Sequence, residues 1–186
     1  MCAGNIIILN GVSSAGKTTL AKTLQNRLSQ PYFNMDVDVF ARMAPSHGKF
    51  YVDNNYSIQW EFASNMFHSV KLFSDMGFNL IVPVIFFEGN PLNKCVTILH
   101  GYPVLFVHVE CPVEELRRRE KERGDREIGM AENLLSVMNS TDTYDIKVNT
   151  YLCSAEECAD RIIKKLNDCN NFTAFENLWA QMKLQL

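Results

Sequence analysis

The sequence predicts an α/β fold built on a doubly wound, mostly parallel sheet of five strands. Short apolar runs alternate with helix-forming segments along most of the chain, which is the pattern of consecutive βαβ units. The first apolar run, residues 5–10, leads directly into Gly11-Val12-Ser13-Ser14-Ala15-Gly16-Lys17-Thr18, which fits G-x-x-x-x-G-K-[ST]. A helix-forming run, residues 19–28, follows it. A loop between a buried strand and a helix N-terminus is a place where such folds bind phosphate.

The residues of this loop have separate expected roles. Its backbone N–H groups surround a phosphate, Lys17 reaches the β- and γ-phosphates, and the hydroxyl of Thr18 holds Mg²⁺ directly or through water. Glycine at positions 11 and 16 lets the backbone turn and come close to the ligand. An ordinary turn of glycine and serine would not need Lys17 followed directly by Thr18. The motif therefore predicts ATP and Mg²⁺ as cofactors, with nucleotide contacts from Gly11, Ser13, Ser14, Ala15, Gly16, Lys17, Thr18 and Thr19.

Composition narrows the class of protein. The 186 residues suit one sizeable core, and the 47% hydrophobic and 21% charged fractions are those of a globular chain. A net charge of −3 provides no general attraction to nucleic acid or to an anionic membrane. No apolar run has the length of a membrane span, and the N-terminus lacks a secretion signal, so we expect a cytoplasmic protein. The six cysteines never occur in C-x-x-C spacing, which predicts reduced, mostly buried thiols and no structural metal site.

The remaining elements follow in order along the chain. Strands are predicted at residues 32–35, 79–86, 104–109 and 146–149, and helices at residues 57–76, 91–100, 112–123 and 154–167. Ser57 and Gly77 are the expected start and stop of the longest helix. Pro83 suggests that its strand is irregular or terminal at that point. We expect His108, inside an apolar run, to be a hydrogen-bonded core residue.

Two carboxylates follow the second strand, at the edge where open α/β sheets bind ligands. Asp38 could accept the proton of an acceptor hydroxyl. Alternatively, Asp38 caps the short helix after it, and Asp36 is then the candidate for the base or for a metal partner. Glu88 and Asn90 follow the third strand at the same edge. Residues 39–56 contain turn signals and aromatic side chains, so they either cover the acceptor or pack on the body as a hairpin or loop.

Three arginines lie at the end of the helix that follows the fourth strand and in the turn after it: Arg119, Arg123 and Arg126. We predict a lid at about residues 118–140 that brings these cations to the triphosphate, with Arg119 contacting the nucleotide. A mixture of Arg, Glu and Lys is also typical of a solvated helical face. The turn Gly124-Asp125-Arg126 favours a functional role for Arg123 and Arg126.

Four segments keep their order from near the N-terminus to residue 150: Ile7 to Thr18, Val37-Asp38-x-Phe40, Arg123-Gly124-Asp125-Arg126 followed by Gly129-Met130-Ala131, and Tyr144-Asp145-x-x-Val148-Asn149-Thr150. Together they resemble the chloramphenicol phosphotransferase family. The resemblance implies an ATP-dependent O-phosphotransferase with a P-loop fold of the nucleoside-monophosphate-kinase type. It also implies that Asp38 is the general base and that Arg123 and Arg126 are lid arginines. A small-molecule hydroxyl is then the acceptor.

The sequence departs from this family in two places. Val82-Pro83-Val84 stands where the family usually carries acidic residues, which leaves the second metal-side carboxylate unassigned. Residues 45–60 match too poorly to transfer antibiotic specificity. One alternative is a nucleotide or nucleotide-sugar kinase, as in zeta-type toxins, which a basic pocket around Arg42 and Lys49 would support. The other is a non-catalytic nucleotide-binding regulatory module, which would bind ATP without phosphorylating any acceptor.

The chain is expected to divide into a kinase domain, residues 1–169, and a C-terminal amphipathic helix, residues 170–186. One stripe of that helix is apolar and consists of Phe172, Phe175, Trp179, Met182 and Leu186. The stripe either packs on its own domain or forms a surface for a partner or a homo-oligomer.

Overall fold

The computed structural model describes residues 2–41, 43, 65–86, 91–123, 129–137, 142–168 and 172–184. Within these ranges the elements are β1 (Ile6–Asn10), α1 (Lys17–Arg27), β2 (Tyr32–Asn34), α2 (Val37–Ala41), α3 (Met66–Asp75), β3 (Asn79–Val84), α4 (Pro91–Leu99), β4 (Val104–Glu110), α5 (Val113–Arg123), α6 (Met130–Val137), β5 (Ile146–Asn149), α7 (Ala155–Asn167) and α8 (Ala174–Lys183).

The five strands form one sheet in the order β2-β3-β1-β4-β5, and every described pairing is parallel. This confirms the predicted α/β fold class. The carboxyl ends of all five strands therefore lie at one edge of the sheet, which is where such folds bind ligands. Because β1 is the central strand, the loop that follows it opens in the middle of that edge.

Two apolar cores lie on opposite faces of the sheet, as the alternation of side chains along each strand requires. On one face, Ile6 and Ile8 pack in a core with residues from α3, α4 and α8. On the other face, Ile7 and Leu9 pack with residues from α1 and α7. All five residues of β1 are buried. A strand covered on both faces needs the continuous apolar run that the sequence shows.

Pro83 lies inside β3, and the sheet shows why proline is tolerated there. Successive residues of a parallel strand direct their backbone groups alternately to one neighbour and to the other. The N–H of Leu80 donates to the Asn5 carbonyl on the β1 side at 2.8 Å, so position 83 faces the β2 side. β2 pairs with β3 only over residues 79–81. β3 is thus an edge at Pro83, where a missing N–H breaks no described pairing.

Several element boundaries differ from the prediction by one or two residues. Helix α3 is described over Met66–Asp75, and its predicted start at Ser57 lies outside the described residues. β3 ends at Val84 instead of residue 86. Gly77 follows α3 with φ of 88°, a left-handed conformation that glycine adopts without strain, so the predicted stop is observed. Most of the predicted loop at 39–56 also lies outside the described residues, although its first residues belong to α2.

The cysteines only partly follow the prediction. The five that the structure describes are all free thiols: Cys95 and Cys158 are buried, Cys111 and Cys153 are partly exposed, and Cys2 is exposed. The expectation that most are buried is therefore wrong for this set. Burial raises the pKa of the Cys158 thiol to about 11, so this side chain is protonated at neutral pH.

The C-terminal helix α8 packs on its own chain. Phe175 and Leu178 are buried in the core with β4 and α4, and Trp179 stacks on His100 with ring centroids 4.0 Å apart. Asp145 accepts hydrogen bonds from the N–H groups of Thr173 and Ala174 at 2.8 and 3.1 Å, which anchors the start of the helix. A role of the same helix in oligomerisation remains a prediction. Among the described residues, no helix has the length and apolarity needed to cross a membrane.

Candidate active site

The predicted phosphate loop connects β1 to α1 at the centre of the carboxyl edge. Gly16 has φ of 92° and Ser14 has φ of 60°, which is uncommon for a residue with a side chain. The Ser14 hydroxyl is buried and has no hydrogen-bond partner in the described structure. No side chain caps the N-terminus of α1, so its first N–H groups are available to an anion. These four features fit a bound phosphate.

The side chain of Lys17 lies along the inside of this loop. Its ammonium donates to the carbonyl of Gly11 at 2.6 Å and to the carbonyl of Val12 at 2.8 Å. Thr18 and Thr19 follow in the first turn of α1 and are exposed to solvent. An exposed hydroxyl beside a phosphate site suits Mg²⁺, which keeps several waters and takes few protein ligands. In the described ranges, no group of three acidic, His or Cys side chains forms a metal site of its own.

Arg119, predicted to contact the nucleotide, joins α5 to the outer side of the loop. Its guanidinium donates to the Ser14 carbonyl at 3.3 Å and to the hydroxyl and carbonyl of Thr150 at 3.1 and 2.9 Å. The Thr150 hydroxyl in turn donates to the Ala15 carbonyl at 2.8 Å. Arg119 lies in the helix after β4 and Thr150 directly follows β5, so residues from two later parts of the chain hold the loop in shape.

Glu115 orients Arg119 from one turn earlier in α5, where its carboxylate accepts from Nε at 2.7 Å. Arg118 also donates two hydrogen bonds to Glu115. These two guanidinium groups, Arg118 first, lower the pKa of the Glu115 carboxyl to about 2. Glu115 is therefore ionised throughout the neutral range and keeps Arg119 paired.

Asp36 and Asp38 follow β2 at the same edge and have different surroundings. Asp36 Oδ1 accepts the backbone N–H of Asp38 at 3.0 Å, immediately before α2, which is the position of a helix N-cap. Asp38 lies in the first turn of α2 and is exposed. The capping role that the sequence left open for Asp38 thus belongs to Asp36, and the Asp38 carboxylate faces solvent at the ligand-binding edge.

A buried amide connects the end of β1 to a residue just after β3 and to a residue just before β5. Asn10 is fully buried; its side-chain NH₂ donates to the Tyr144 hydroxyl at 2.8 Å, and its Oδ1 accepts the N–H of Phe86 at 3.1 Å. Tyr144 stacks on His108 with ring centroids 4.6 Å apart. Burial raises the pKa of Tyr144 to about 12, so its hydroxyl is neutral at pH 7. This network sets the position at which the chain leaves β1 for the phosphate loop.

His108 differs from the expectation of a hydrogen-bonded core residue. Its Nδ1 is buried without a hydrogen bond in the described structure, although Oε1 of Glu110 lies 3.3 Å away. Desolvation lowers the pKa of His108. The ring is neutral at pH 7, and it stacks on Tyr144.

Replacing Tyr144 with Phe is expected to destabilise the protein by about 1–3 kcal/mol, because a buried amide donor of Asn10 then loses its partner. Urea unfolding monitored by circular dichroism, with m held common to both proteins, measures this change. Tyr151→Phe is the matched control, because Tyr151 is exposed. The free energy of unfolding of this variant should stay within about 0.5 kcal/mol of that of the parent. Equal effects of the two substitutions would contradict the role assigned to Tyr144.

A cavity of about 130 Å³ opens beside the loop, between the end of β4 and α6. It is lined by Val12, His108, Val109, Glu110, Cys111 and Leu135. The walls are mainly apolar, with one imidazole and one carboxylate as polar groups. The cavity includes Val12 in its wall and therefore adjoins the first residues of the phosphate loop.

Four predicted site residues lie wholly or partly outside the described structure. Arg126, Glu88 and Asn90 lie outside the described residues, and of Arg123 only the helical backbone is described. Sequence reasoning did not single out Thr150 or the fully buried Glu120 as site residues. The only indication of Thr150 in the sequence was its position at the end of a segment that resembles the family. Glu120 was hidden in a run of charged residues that resembles a solvated face.

The chain as a whole was compared with known proteins. A model of the chloramphenicol phosphotransferase-like protein family matches residues 4–167, which is most of the chain. The chain belongs to this family. A Mycobacterium tuberculosis protein, found in strains CDC 1551 and H37Rv and provisionally named an O-phosphotransferase, is 26% identical over 203 residues, covering 96% of this chain and 89% of that protein.

Solved structures share the fold of this family member. One is the M. tuberculosis APS kinase CysC in complex with AMPPNP and APS, with a TM-score of 0.70, 17% identity, and coverage of 90% of this chain and 100% of that one. Another is a gluconokinase from Sinorhizobium meliloti 1021, with a TM-score of 0.62, 14% identity, and coverage of 96% and 97%. At these identities the likeness establishes the P-loop kinase fold.

Proposed function

We propose that this protein transfers the γ-phosphate of ATP to a hydroxyl group of a small molecule. The observation that carries the proposal is the phosphate loop itself: an uncapped helix N-terminus, a left-handed Ser14 with an unpaired buried hydroxyl, and Lys17 folded along the loop. This loop lies at the same sheet edge as the exposed Asp38. Family membership and the AMPPNP bound to CysC support ATP as the donor.

Each group of the loop has a defined task in this reaction. The N–H groups at the start of α1 and the ammonium of Lys17 bind and orient the phosphates, and Lys17 counters the charge that grows on the oxygens during transfer. Thr18 would hold Mg²⁺ at the phosphates. When bound there, the metal neutralises charge on the β- and γ-phosphate oxygens. Arg119 keeps the loop in shape through Ser14 and Thr150.

Asp38 is the proposed general base. Its carboxylate accepts the proton of the acceptor hydroxyl while the oxygen attacks the γ-phosphorus, and the bond from phosphorus to the bridging oxygen of ADP breaks. Asp36 is already engaged as a cap, whereas Asp38 is exposed, which favours Asp38 for this role. Arg123 and Arg126 are the proposed lid arginines that exclude water and stabilise the transferring group.

The test is transfer of labelled phosphate from [γ-³²P]ATP with Mg²⁺ to a panel of chloramphenicol, gluconate, APS and common nucleotides. We expect a labelled organic product with the parent protein and a fall in kcat of about 100- to 10,000-fold for Asp38→Asn, the range for loss of a general base. Asp36→Asn is the control; it removes only the charge of a cap and should retain most activity. Release of free phosphate alone, unchanged in Asp38→Asn, would overturn the proposal.

A further inference from the structure

We propose that Glu120 is a positioning residue, whose buried carboxylate holds the start of α6 against α5 so that turnover depends on it. The inference rests on the phosphotransferase function proposed above. Glu120 is fully buried, although it belongs to a helix in which Arg117, Arg118, Lys121 and Glu122 are all exposed. The charged and exposed surface of this helix therefore does not explain why Glu120 is buried.

The carboxylate of Glu120 is paired on both oxygens. Oε2 accepts the N–H of Gly129 at 2.9 Å, and Oε1 accepts the N–H of Ala131 at 2.7 Å. These two groups belong to the beginning of α6, whose first N–H groups have no partner inside the helix. A buried charge is costly unless it is hydrogen-bonded, and a helix N-terminus favours a negative charge. Glu120 thus acts as a cap supplied to α6 by the preceding helix.

Both helices joined by this contact, α5 and α6, also reach the candidate active site. The residue before Glu120 is Arg119, which holds the phosphate loop through Ser14 and Thr150. On the other side, α6 places Ala131 in the same apolar core as Val12 and contributes Leu135 to the wall of the cavity next to the loop. Glu120 therefore connects that wall to the helix that contacts the loop, and loosening it changes the shape of the space beside the phosphate.

The chain offers a matched comparison at the same helix pair. Arg117 and Glu132 form an ion pair of 2.6 Å between α5 and α6, but both side chains are about half exposed, 51% and 46%. An exposed pair contributes little to stability. Glu132→Gln removes this outer link, whereas Glu120→Gln leaves one carbonyl oxygen and turns an NH₂ group toward a backbone N–H, so one of the two buried hydrogen bonds is lost.

The experiment uses the full chain and the panel compound that the parent phosphorylates. For Glu120→Gln we expect kcat to fall about 10- to 100-fold, the cost of misplacing groups near the reacting atoms. The Kd for AMPPNP should change less than about threefold, because Lys17 and the loop are intact. Amide hydrogen exchange at Gly129 and Ala131 should accelerate. Glu132→Gln should keep the parental kcat and exchange rates. Glu120→Ala serves as a second variant wherever it folds.

Parental kcat and parental exchange in Glu120→Gln would overturn the inference. A loss of kcat accompanied by an equal loss of AMPPNP affinity would also overturn it, because that result indicates general disruption of the site. If the parent phosphorylates no panel compound, the proposed function fails separately. The contact is then judged from hydrogen exchange: faster exchange in Glu120→Gln but not in Glu132→Gln supports it, and unchanged exchange overturns it.

Discussion

Replacing Lys17 with Ala is expected to lower kcat/KM for phosphoryl transfer about 100- to 1000-fold, the scale for loss of one preorganised charge or donor in an active site. Among residues 11–18 of the sequence, Lys17 is the one that carries a full positive charge. Its ammonium already lies within the loop, bonded to the carbonyls of Gly11 and Val12, so it is in place before the ligand arrives. The measurement is initial-rate kinetics with labelled ATP.

The control for this prediction is Lys22→Ala, which removes the same charge from an exposed position farther along α1. It should leave kcat/KM within about twofold of the parent, since Lys22 is exposed and lies more than one helical turn beyond the loop. Lys17→Arg should not restore activity, because a planar guanidinium does not replace a compact ammonium in the confined loop. Parental kinetics in Lys17→Ala would show that the loop does not bind the transferred phosphate.

Replacing Gly11 with Ala is expected to destabilise the protein by about 1–3 kcal/mol, as for overpacking of a core, and to reduce AMPPNP affinity at least about tenfold. A Cβ at position 11 would lie 2.5 Å from the carbonyl oxygen of Val109 and 3.2 Å from its Cβ. Neither β1 nor β4 can move aside easily, because each is paired with a strand on both sides. The start of the phosphate loop must then shift. Urea unfolding and calorimetric titration with AMPPNP measure the two effects.

Gly101→Ala is the control for Gly11→Ala, because it introduces backbone strain without steric crowding. Gly101 has φ of 80°, and no described atom lies within 4 Å of a Cβ built there. The cost should be about 1–2 kcal/mol from the left-handed conformation alone, with AMPPNP affinity unchanged. If Gly11→Ala and Gly101→Ala had the same effect on nucleotide binding, the close approach of Val109 would not be what shapes the loop.

Local pattern was sufficient for the five strands, for most of the helices and for the phosphate loop, although it did not predict α6 as a separate element. Residues within a few positions of one another determine three features. These are the strand at residues 6–10, the turn at the glycines of the motif and the end of α3 just before Gly77. Backbone conformation and burial on two faces respond directly to such short-range signals. The same holds for α7, whose capping box joins Ser154 and Glu157 only three residues apart. The sequence by itself therefore determined the fold class and the place of the candidate phosphate loop.

Tertiary structure decided which polar groups meet. Asn10 and Tyr144 are 134 positions apart, and Arg119 and Thr150 are 31 apart, so no local period relates them. The burial of Glu120 depends on how the chain returns at Gly129, which the charged composition of α5 conceals. Even the neighbouring Asp36 and Asp38 could be assigned to cap and candidate base only from the direction of one hydrogen bond. A hydrogen bond requires a particular direction and can join residues that are far apart in the sequence. The periodicity of apolar residues indicates only which face of an element is buried.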